Sequence, residues 1–291
     1  MSKAEQSTKS NDTCNLKAVE RYDTGNGPFE LEELFTVYEI PYLNDHSVIY
    51  NPGDKKWHLF GIVAPHTSFI HLTADSLTQR AWDKQEPFSA GGPEIWAPHI
   101  ILVDDVFHMF YTQIGVPREI RHATSSDLYS WALSDTPVLA QKNEFSGNLK
   151  NKDPMVFRDE DRDHWVMYYS AMKDDKRWVL GYSTSTDLYN WSKMQVCFDE
   201  DTESPGVESP FVVRRGNYFY LFLSARPWPI GGEDVFRSTS PYHWRVEDRV
   251  MRINPWHAAE LVQDLDGKWY LTLSSGTQCN DFRMAPMVWK D

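Results

Sequence analysis

The clearest regularity along the chain is a series of short apolar and aromatic segments, each bounded by polar turn residues. Five of these segments align on one aromatic residue, and these anchors are 50, 58, 53 and 51 residues apart: Trp57, Phe107, Trp165, Tyr218 and Trp269. A step of about fifty residues is typical of a repeat architecture in which each repeat is one supersecondary unit. The pattern therefore predicts five similar units in series.

Each unit contains more than its anchor strand. Polar turns followed by a tryptophan come after most anchors, as in "HATSSDLYSW" and "GYSTSTDLYNW", and a less regular apolar strand precedes most anchors, as in "PHIILVDD" and "ESPFVVRRG". Such a succession predicts a meander of four antiparallel strands per unit. The tryptophans that recur after the turns are expected to pack between neighbouring units: Trp82, Trp131, Trp191 and Trp244.

Five four-stranded units predict an all-β fold, a five-bladed β-propeller, over residues 29–291. Residues 1–28 are polar and turn-rich and are expected to form a flexible N-terminal arm. Closing the ring requires strands from both ends of the chain, and the candidates are "LFTVYEIPY" from Leu34 and "FRMAPMVW" from Phe282. A two-layer β-sandwich is the alternative, but it does not predict an even fifty-residue step.

The amino-acid composition agrees with this fold and disfavours some classes of binding partner. Aromatic residues make up 14% of the 291 residues, and a net charge of -13 disfavours nucleic acid and anionic membranes. The three cysteines have neither disulfide-framework nor metal-site spacing. The opening residues do not resemble a signal peptide, so a cytoplasmic location is expected, although a secreted protein whose leader has been removed would look the same. The oligomeric state stays open.

Three acids stand where inner strands of the predicted propeller begin. Asp45 opens that strand in the first unit, Asp153 in the third and Glu208 in the fourth. Because inner strands surround one axis, we expect the three acids to occupy equivalent places and to meet at one mouth of the central channel. Clustering of negative charge raises the pKa of one member.

Such a cluster suits cleavage of a glycosidic bond. The reaction needs one protonated acid at the leaving oxygen and a second, ionised carboxylate that attacks the sugar or activates water. A third carboxylate can stabilise the positive transition state. Trp96 is either a platform for a sugar ring or a core aromatic, and His46 and His99 are either donors to sugar hydroxyls or structural histidines.

The motifs "NDH", "EIWAPHI", "KDP" and "ESP" resemble those of the five-bladed glycoside hydrolase families 43 and 32. The resemblance implies that Asp45 is the nucleophile or general base, Asp153 the transition-state stabiliser and Glu208 the general acid. It also implies a carbohydrate substrate, with arabinofuranosides or fructofuranosides first and xylosides next. The chain departs from the family motifs at His46, Lys152 and Ser209, which leaves the substrate open.

Further residues are expected to contact the sugar: Asn44, His46, Trp96, His99, Lys152, Arg226 and His257. The resemblance implies no required cofactor, with either a calcium ion or a water cluster near His257. Two other functions stay open at this stage. One is a transferase, cyclase or lyase that uses the same pocket, and the other is a carbohydrate-binding propeller without catalysis.

Overall fold

The computed structural model describes most of the chain as five antiparallel sheets, with a single 3₁₀ turn at Val246–Asp248. The described residues are 20–23, 27–38, 43–115, 118–139, 151–173, 177–199, 207–224, 232–254, 256–274 and 282–290. Nothing in this described part is a helix long and apolar enough to cross a membrane.

Three short strands precede the blades: β1 (Glu20–Asp23), β2 (Phe29–Leu31) and β3 (Phe35–Tyr38). Blade 1 contains β4 (His46–Asn51), β5 (Lys56–Ile62), β6 (Phe69–Ala74) and β7 (Asp83–Lys84). Blade 2 contains β8 (Ile95–Val103), β9 (Val106–Gln113), β10 (Glu119–Ser125) and β11 (Ala132–Leu133). Blade 3 contains β12 (Lys152–Asp159), β13 (His164–Met172), β14 (Trp178–Ser185) and β15 (Gln195–Phe198).

Blade 4 contains β16 (Glu208–Arg215), β17 (Tyr218–Ser224), β18 (Glu233–Ser238) and β19 (Arg249–Asn254). Blade 5 contains β20 (His257–Gln263), β21 (Trp269–Ser274) and β22 (Phe282–Trp289). The predicted five-bladed, all-β propeller is therefore confirmed, with one blade per fifty-residue repeat.

Strands from the start of the chain complete the last two blades. Both β2 and β3 pair with β22, so blade 5 is closed by segments that precede blade 1. The predicted closing segments do meet, since Phe35 lies opposite Met284. Within the predicted arm 1–28, β1 forms an additional edge strand of blade 4 by pairing with β19. For these four residues the structure differs from a flexible arm, because their backbone bonds to a sheet edge.

The core is divided among the blade junctions. Five apolar clusters lie between successive sheets, including the junction of blades 5 and 1. Trp82 and Trp244 are buried in two of these clusters, and Trp131 and Trp191 pack against two others. The recurring tryptophans thus pack between blades, as expected. This packing fixes the blades around one axis and so fixes the positions of their inner strands.

Candidate active site

The inner strands present two stacked rings of five equivalent positions to the axis. The upper ring consists of the residues that pair with the end of the second strand in each blade: Asn44, Trp96, Lys152, Glu208 and His257. The lower ring consists of the next residue in each blade: Asp45, Ala97, Asp153, Ser209 and Ala258. The site is built from these ten positions.

Backbone bulges explain why neighbouring residues serve different rings. In blades 2 to 5 the pairing register shifts immediately after the upper-ring residue. The lower-ring residues of these blades have φ values between +48° and +58°. A left-handed backbone costs a non-glycine residue roughly 1–2 kcal/mol, and bulges of this kind turn a side chain in a new direction. The distorted strand start thus brings both residues to the axis.

The rings refine the expected equivalence of the three acids. Asp45 and Asp153 share the lower ring, as equivalence requires. Glu208 lies in the upper ring, one position earlier than Asp153, and its true counterpart in blade 3 is Lys152. The expectation of three equivalent places was therefore wrong for Glu208, because the bulge falls at the same point in β12 and β16 and Glu208, like Lys152, is the last residue before it. The acid nevertheless reaches the same cavity.

That cavity has a volume of about 230 Å³ at the mouth of the channel. It is lined by the whole upper ring, by three lower-ring residues and by two residues of blade 1: Asn44, Trp96, Lys152, Glu208, His257, Asp45, Asp153, Ser209, Ile62 and His66. A narrower cavity of about 20 Å³ lies against the lower ring and the residues that follow it, with room for about one water molecule. All three predicted catalytic acids line the larger cavity.

Lys152 links two of the acids. Its ammonium nitrogen lies 3.0 Å from Asp153 Oδ2 and 3.2 Å from Glu208 Oε1, and its side chain is only 10% exposed. Burial alone would lower the pKa of Lys152, but the adjacent carboxylates of Asp153 and Glu208 raise that pKa above its usual value. Lys152 is therefore a fixed cation between two carboxyl groups.

Ser209 links Asp45 to Asp153. Its hydroxyl donates a hydrogen bond to Asp45 Oδ1, and its backbone N–H donates to Asp153 Oδ2 at 3.2 Å. Asp153 is also held from behind, because its own N–H donates to Thr112 Oγ1 in blade 2 at 2.9 Å. Together, Lys152 and Ser209 join all three acids into one hydrogen-bonded group.

Asp45 is a carboxyl group with a strongly raised pKa. Burial raises the pKa of its carboxyl group to about 7, and the nearby charges of Asp153 and Glu208 act in the same direction. The Ser209 hydrogen bond and the charge of Lys152 oppose the rise. Clustering was expected to raise one pKa, and the structure places that rise on Asp45.

Asp45 also depends on a close backbone approach. Gly61 lies beneath it on β5, and a Cβ atom there would come within 2.4 Å of Leu43 Cδ1 and 3.4 Å of the Asp45 carbonyl oxygen. A side chain at this position would force the Leu43 side chain to move and would crowd His46 Cβ at 3.3 Å. The absence of a side chain at Gly61 lets the strand that bears Asp45 reach its place at the axis.

His257 completes the upper ring beside Asp45. Its Nε2 lies 4.0 Å from Asp45 Oδ1, and burial, assisted by the charge of Lys152, lowers its pKa to about 3. Among the described residues no group of three or more His, Cys, Asp or Glu side chains is arranged to hold a metal ion. A calcium ion near His257 does not fit this surrounding, since the fixed cation Lys152 lies close by and the histidine offers no set of oxygen donors.

Two predicted sugar contacts lie elsewhere. His46 is 1% exposed, and its ring nitrogens bond to Thr272 Oγ1 at 2.8 Å and to the Asn44 carbonyl at 3.4 Å. His99 is 6% exposed, and its Nε2 bonds to the Val156 carbonyl at 3.0 Å. Neither lines the larger cavity, because both rings are directed into the packing between inner strands. They are structural histidines, the alternative that the motifs left open.

Arg226 was predicted to contact the sugar and lies outside the described residues. Three residues that the motifs did not assign to the site are Ser209, Ile62 and Arg118. Ser209 had appeared only as a departure from a family motif, and the ring register is the signal that reveals its role. The Arg118 guanidinium lies 5.1 Å from the centre of the Trp96 ring. Burial lowers the pKa of Arg118, and the nearby charges of Asp153 and Glu208 oppose this change.

Comparison with known protein families distinguishes between glycoside hydrolase families 43 and 32, whose motifs the sequence resembles. The family model described as "Glycosyl hydrolases family 43" matches residues 72–290. The chain belongs to glycosyl hydrolase family 43. Blades 2 to 5, which contribute Asp153 and Glu208, lie inside this match, whereas Asp45 precedes it.

Two curated relatives have the names of carbohydrate-cleaving enzymes. "Probable arabinan endo-1,5-alpha-L-arabinosidase A" of Aspergillus fumigatus is 27% identical over 241 residues, which cover 76% of this chain and 61% of that protein. "Probable sucrose-6-phosphate hydrolase" of Psychromonas ingrahamii is 29% identical over 178 residues, covering 54% of this chain and 31% of that protein. This family 43 chain therefore spans less than two thirds of the length of either relative.

Solved structures show the same fold. An endo-arabinase from Bacteroides thetaiotaomicron matches with a TM-score of 0.70 and 16% identity, covering 89% of this chain and 99% of that one. A thermostable family-43 glycoside hydrolase matches with a TM-score of 0.71 and 16% identity, covering 88% and 94%. At this identity the likeness supports the propeller and not a particular substrate.

Proposed function

We propose that this chain is a glycoside hydrolase that cleaves arabinofuranosidic bonds, with α-1,5-linked arabinan as its leading substrate. The observation that carries the proposal is the convergence of Asp45, Asp153 and Glu208 on one cavity, joined through Lys152 and Ser209. The arabinosidase relative supports the choice of sugar. Fructofuranosides are the second candidate, supported by the sucrose-6-phosphate hydrolase relative.

In the proposed reaction Glu208 donates a proton to the leaving glycosidic oxygen. Asp45, in its ionised form, either removes a proton from the attacking water or attacks the anomeric carbon itself. Asp153 is held by Lys152 and by the Ser209 N–H, and its charge favours the positive character that the sugar ring gains in the transition state. The anomer formed first, read by proton NMR, separates inversion from retention.

A substrate panel tests the function. We expect turnover of nitrophenyl α-L-arabinofuranoside and of α-1,5-arabino-oligosaccharides by the wild type, and weaker turnover of nitrophenyl xyloside and fructofuranosides. Alanine at Asp45 or Glu208 is expected to lower kcat by about 10²–10⁴-fold. Because nitrophenolate needs little help to leave, Glu208→Ala should lose less activity on the nitrophenyl substrate than on the oligosaccharide.

Other outcomes of the panel assign other functions. Binding of arabinan without any turnover would indicate a carbohydrate-binding propeller. Products that carry no oxygen from ¹⁸O-labelled water would indicate a transferase, cyclase or lyase. An equal loss on both substrates in Glu208→Ala would contradict the acid role of Glu208.

The pH dependence of kcat/KM tests the role of Asp45. Its carboxyl pKa is raised to about 7, so the ionised form needed for a base or nucleophile prevails only above that pH. We expect kcat/KM to rise with pH until Asp45 is ionised, near pH 7, and to fall where Glu208 loses the proton that it donates. A profile whose acidic limb shows no group titrating near pH 7 would contradict the base or nucleophile role of Asp45.

A further inference from the structure

Blade 4 differs from the other blades at one buried position. In each blade the second-strand residue that pairs with the upper-ring residue also pairs with a residue on the third strand. In four blades that third-strand residue is apolar: Phe69, Ile120, Leu180 and Phe282. All four are fully buried. In blade 4 the same position is Glu233, which is also fully buried.

The propeller itself does not require an acid there. Four blades build the equivalent junction with an aliphatic or aromatic side chain. Burying a carboxyl group costs free energy unless its oxygens are hydrogen-bonded, and in the described part of the chain the Ser224 hydroxyl and the Ala259 N–H offset this cost for Glu233. Glu233 therefore has a local task that an apolar residue does not perform.

Its contacts lead to the active site. Ser224 lies directly opposite Glu233, and its hydroxyl donates a hydrogen bond to Glu233 Oε2 at 3.0 Å. The same hydroxyl accepts a hydrogen bond from the Ala258 N–H of blade 5 at 2.9 Å. Ala258 is the lower-ring residue that immediately follows His257, and it has a left-handed φ of +51°.

The acid fixes the direction of the Ser224 hydroxyl. A serine can point its single proton in several directions, but the Glu233 oxygen holds that proton and so keeps an oxygen lone pair aimed at the Ala258 N–H. In blade 2 the Thr112 hydroxyl accepts the corresponding hydrogen bond from the Asp153 N–H. The third-strand residue opposite Thr112 is the apolar Ile120, which cannot fix the direction of that hydroxyl. Blade 4 adds an acceptor at the junction that places His257 beside Asp45.

We propose that Glu233 is a positioning residue that acts through Ser224 and the Ala258 backbone to hold His257 against Asp45. Burial raises the pKa of Glu233 well above its usual value, which favours its neutral form. This inference rests on the proposed function for its kinetic consequence. Its structural consequence, the placement of His257, does not depend on which substrate the chain uses.

Two substitutions of Glu233 separate the roles. Glu233→Leu installs the residue type of the other blades and removes the acceptor, so we expect kcat to fall about 10-fold or more with KM within about 3-fold. Glu233→Gln keeps an acceptor oxygen and no charge, and we expect kcat within about 3-fold of wild type. Ser224→Ala should reproduce the defect of Glu233→Leu, and the double variant should be no worse than either alone.

A matched control is the neighbouring residue Asp234, which faces the other side of the strand and pairs with Arg252 Nε at 2.6 Å. Asp234→Asn is expected to lower stability while leaving kcat and the pH profile unchanged. The second readout uses no substrate: the ring resonances of His257 in heteronuclear NMR should shift in Glu233→Leu and not in Asp234→Asn.

The outcomes are distinguishable from failure of the proposed function. If the wild type cleaves no glycoside, the shift of the His257 resonances still tests the placement of this residue. Unchanged His257 resonances in Glu233→Leu would overturn the inference, as would a wild-type kcat in an active enzyme. An equal loss in Glu233→Gln and Glu233→Leu would overturn the neutral hydrogen-bonding role.

Discussion

Asp45→Asn is expected to abolish turnover and to make the folded protein more stable at alkaline pH. The activity loss follows from the proposed base or nucleophile role and should reach about 10³-fold or more in kcat/KM. The stability gain follows from burial, which raises the pKa of this carboxyl group to about 7 in the folded state. An unfolded chain ionises the same group near its ordinary value of 3.8.

The sign of the stability effect follows from proton binding. Between about pH 4 and pH 7 the folded state holds a proton on Asp45 that the unfolded state has released, so stability falls as pH rises through this window. Above pH 7 the full penalty applies, about 1–4 kcal/mol at 1.36 kcal/mol per pKa unit. Asparagine cannot ionise, and the variant should therefore gain this amount at pH 8 and progressively less towards pH 4.

Urea unfolding of wild type and variant at several pH values measures the difference. Asp75→Asn removes an acid whose side chain is 80% exposed and should show no such pH-dependent gain. An Asp45→Asn protein that is no more stable than wild type at pH 8 would contradict the raised pKa of the Asp45 carboxyl group. Retention of kcat would contradict the catalytic role.

Lys152→Met is expected to lower both stability and activity. The ammonium group lies within 3.2 Å of two carboxyl groups and is almost fully buried. Removal of one member of a buried ion pair leaves an uncompensated charge, typically a loss of about 3–5 kcal/mol in the free energy of unfolding. The carboxyls of Asp153 and Glu208 would also lose their fixed orientation, and we expect kcat to fall about 10²-fold or more.

Lys152→Arg and Lys268→Met are the matched controls. Arginine restores the charge, so unfolding free energy should recover most of the loss, although its planar fork differs from the compact ammonium group. Lys268 pairs with Asp266 on the surface with a side chain that is 69% exposed, and its replacement should have no measurable effect. A Lys152→Met protein as stable as wild type would show that Lys152 does not offset the charges beside it.

Much of the fold could be predicted because large aromatic side chains recur at equivalent positions of each repeat. Trp57, Phe107 and Trp165 mark equivalent strands, and Trp82, Trp131 and Trp191 mark the turns that pack between blades. Bulky aromatic residues at a fixed period can all be buried when successive units have the same structure and pack against one another in the same way. The carboxylates could be predicted for the same reason, since each opens an inner strand.

Register and side-chain direction could not be predicted. The acids were aligned by their charge, whereas the strand pairings align Glu208 with Lys152, since each of these two residues directly precedes the bulge of its strand. His46 and His99 lie two and three residues beyond the upper-ring positions of their blades, whereas His257 occupies such a position. Glu233 was missed because its significance appears only when strand pairings place it beside Ile120, Leu180 and their counterparts in the other blades.

The pairing of β3 with β22 has a consequence for the order in which this protein matures. As the nascent chain leaves the ribosome, Asp45 emerges early and Asp153 and Glu208 follow, yet the blade that closes the circle requires the last strand to be synthesised. The ring of inner strands that brings Asp45 to Asp153 and Glu208 is therefore complete only when β22 has paired with β2 and β3.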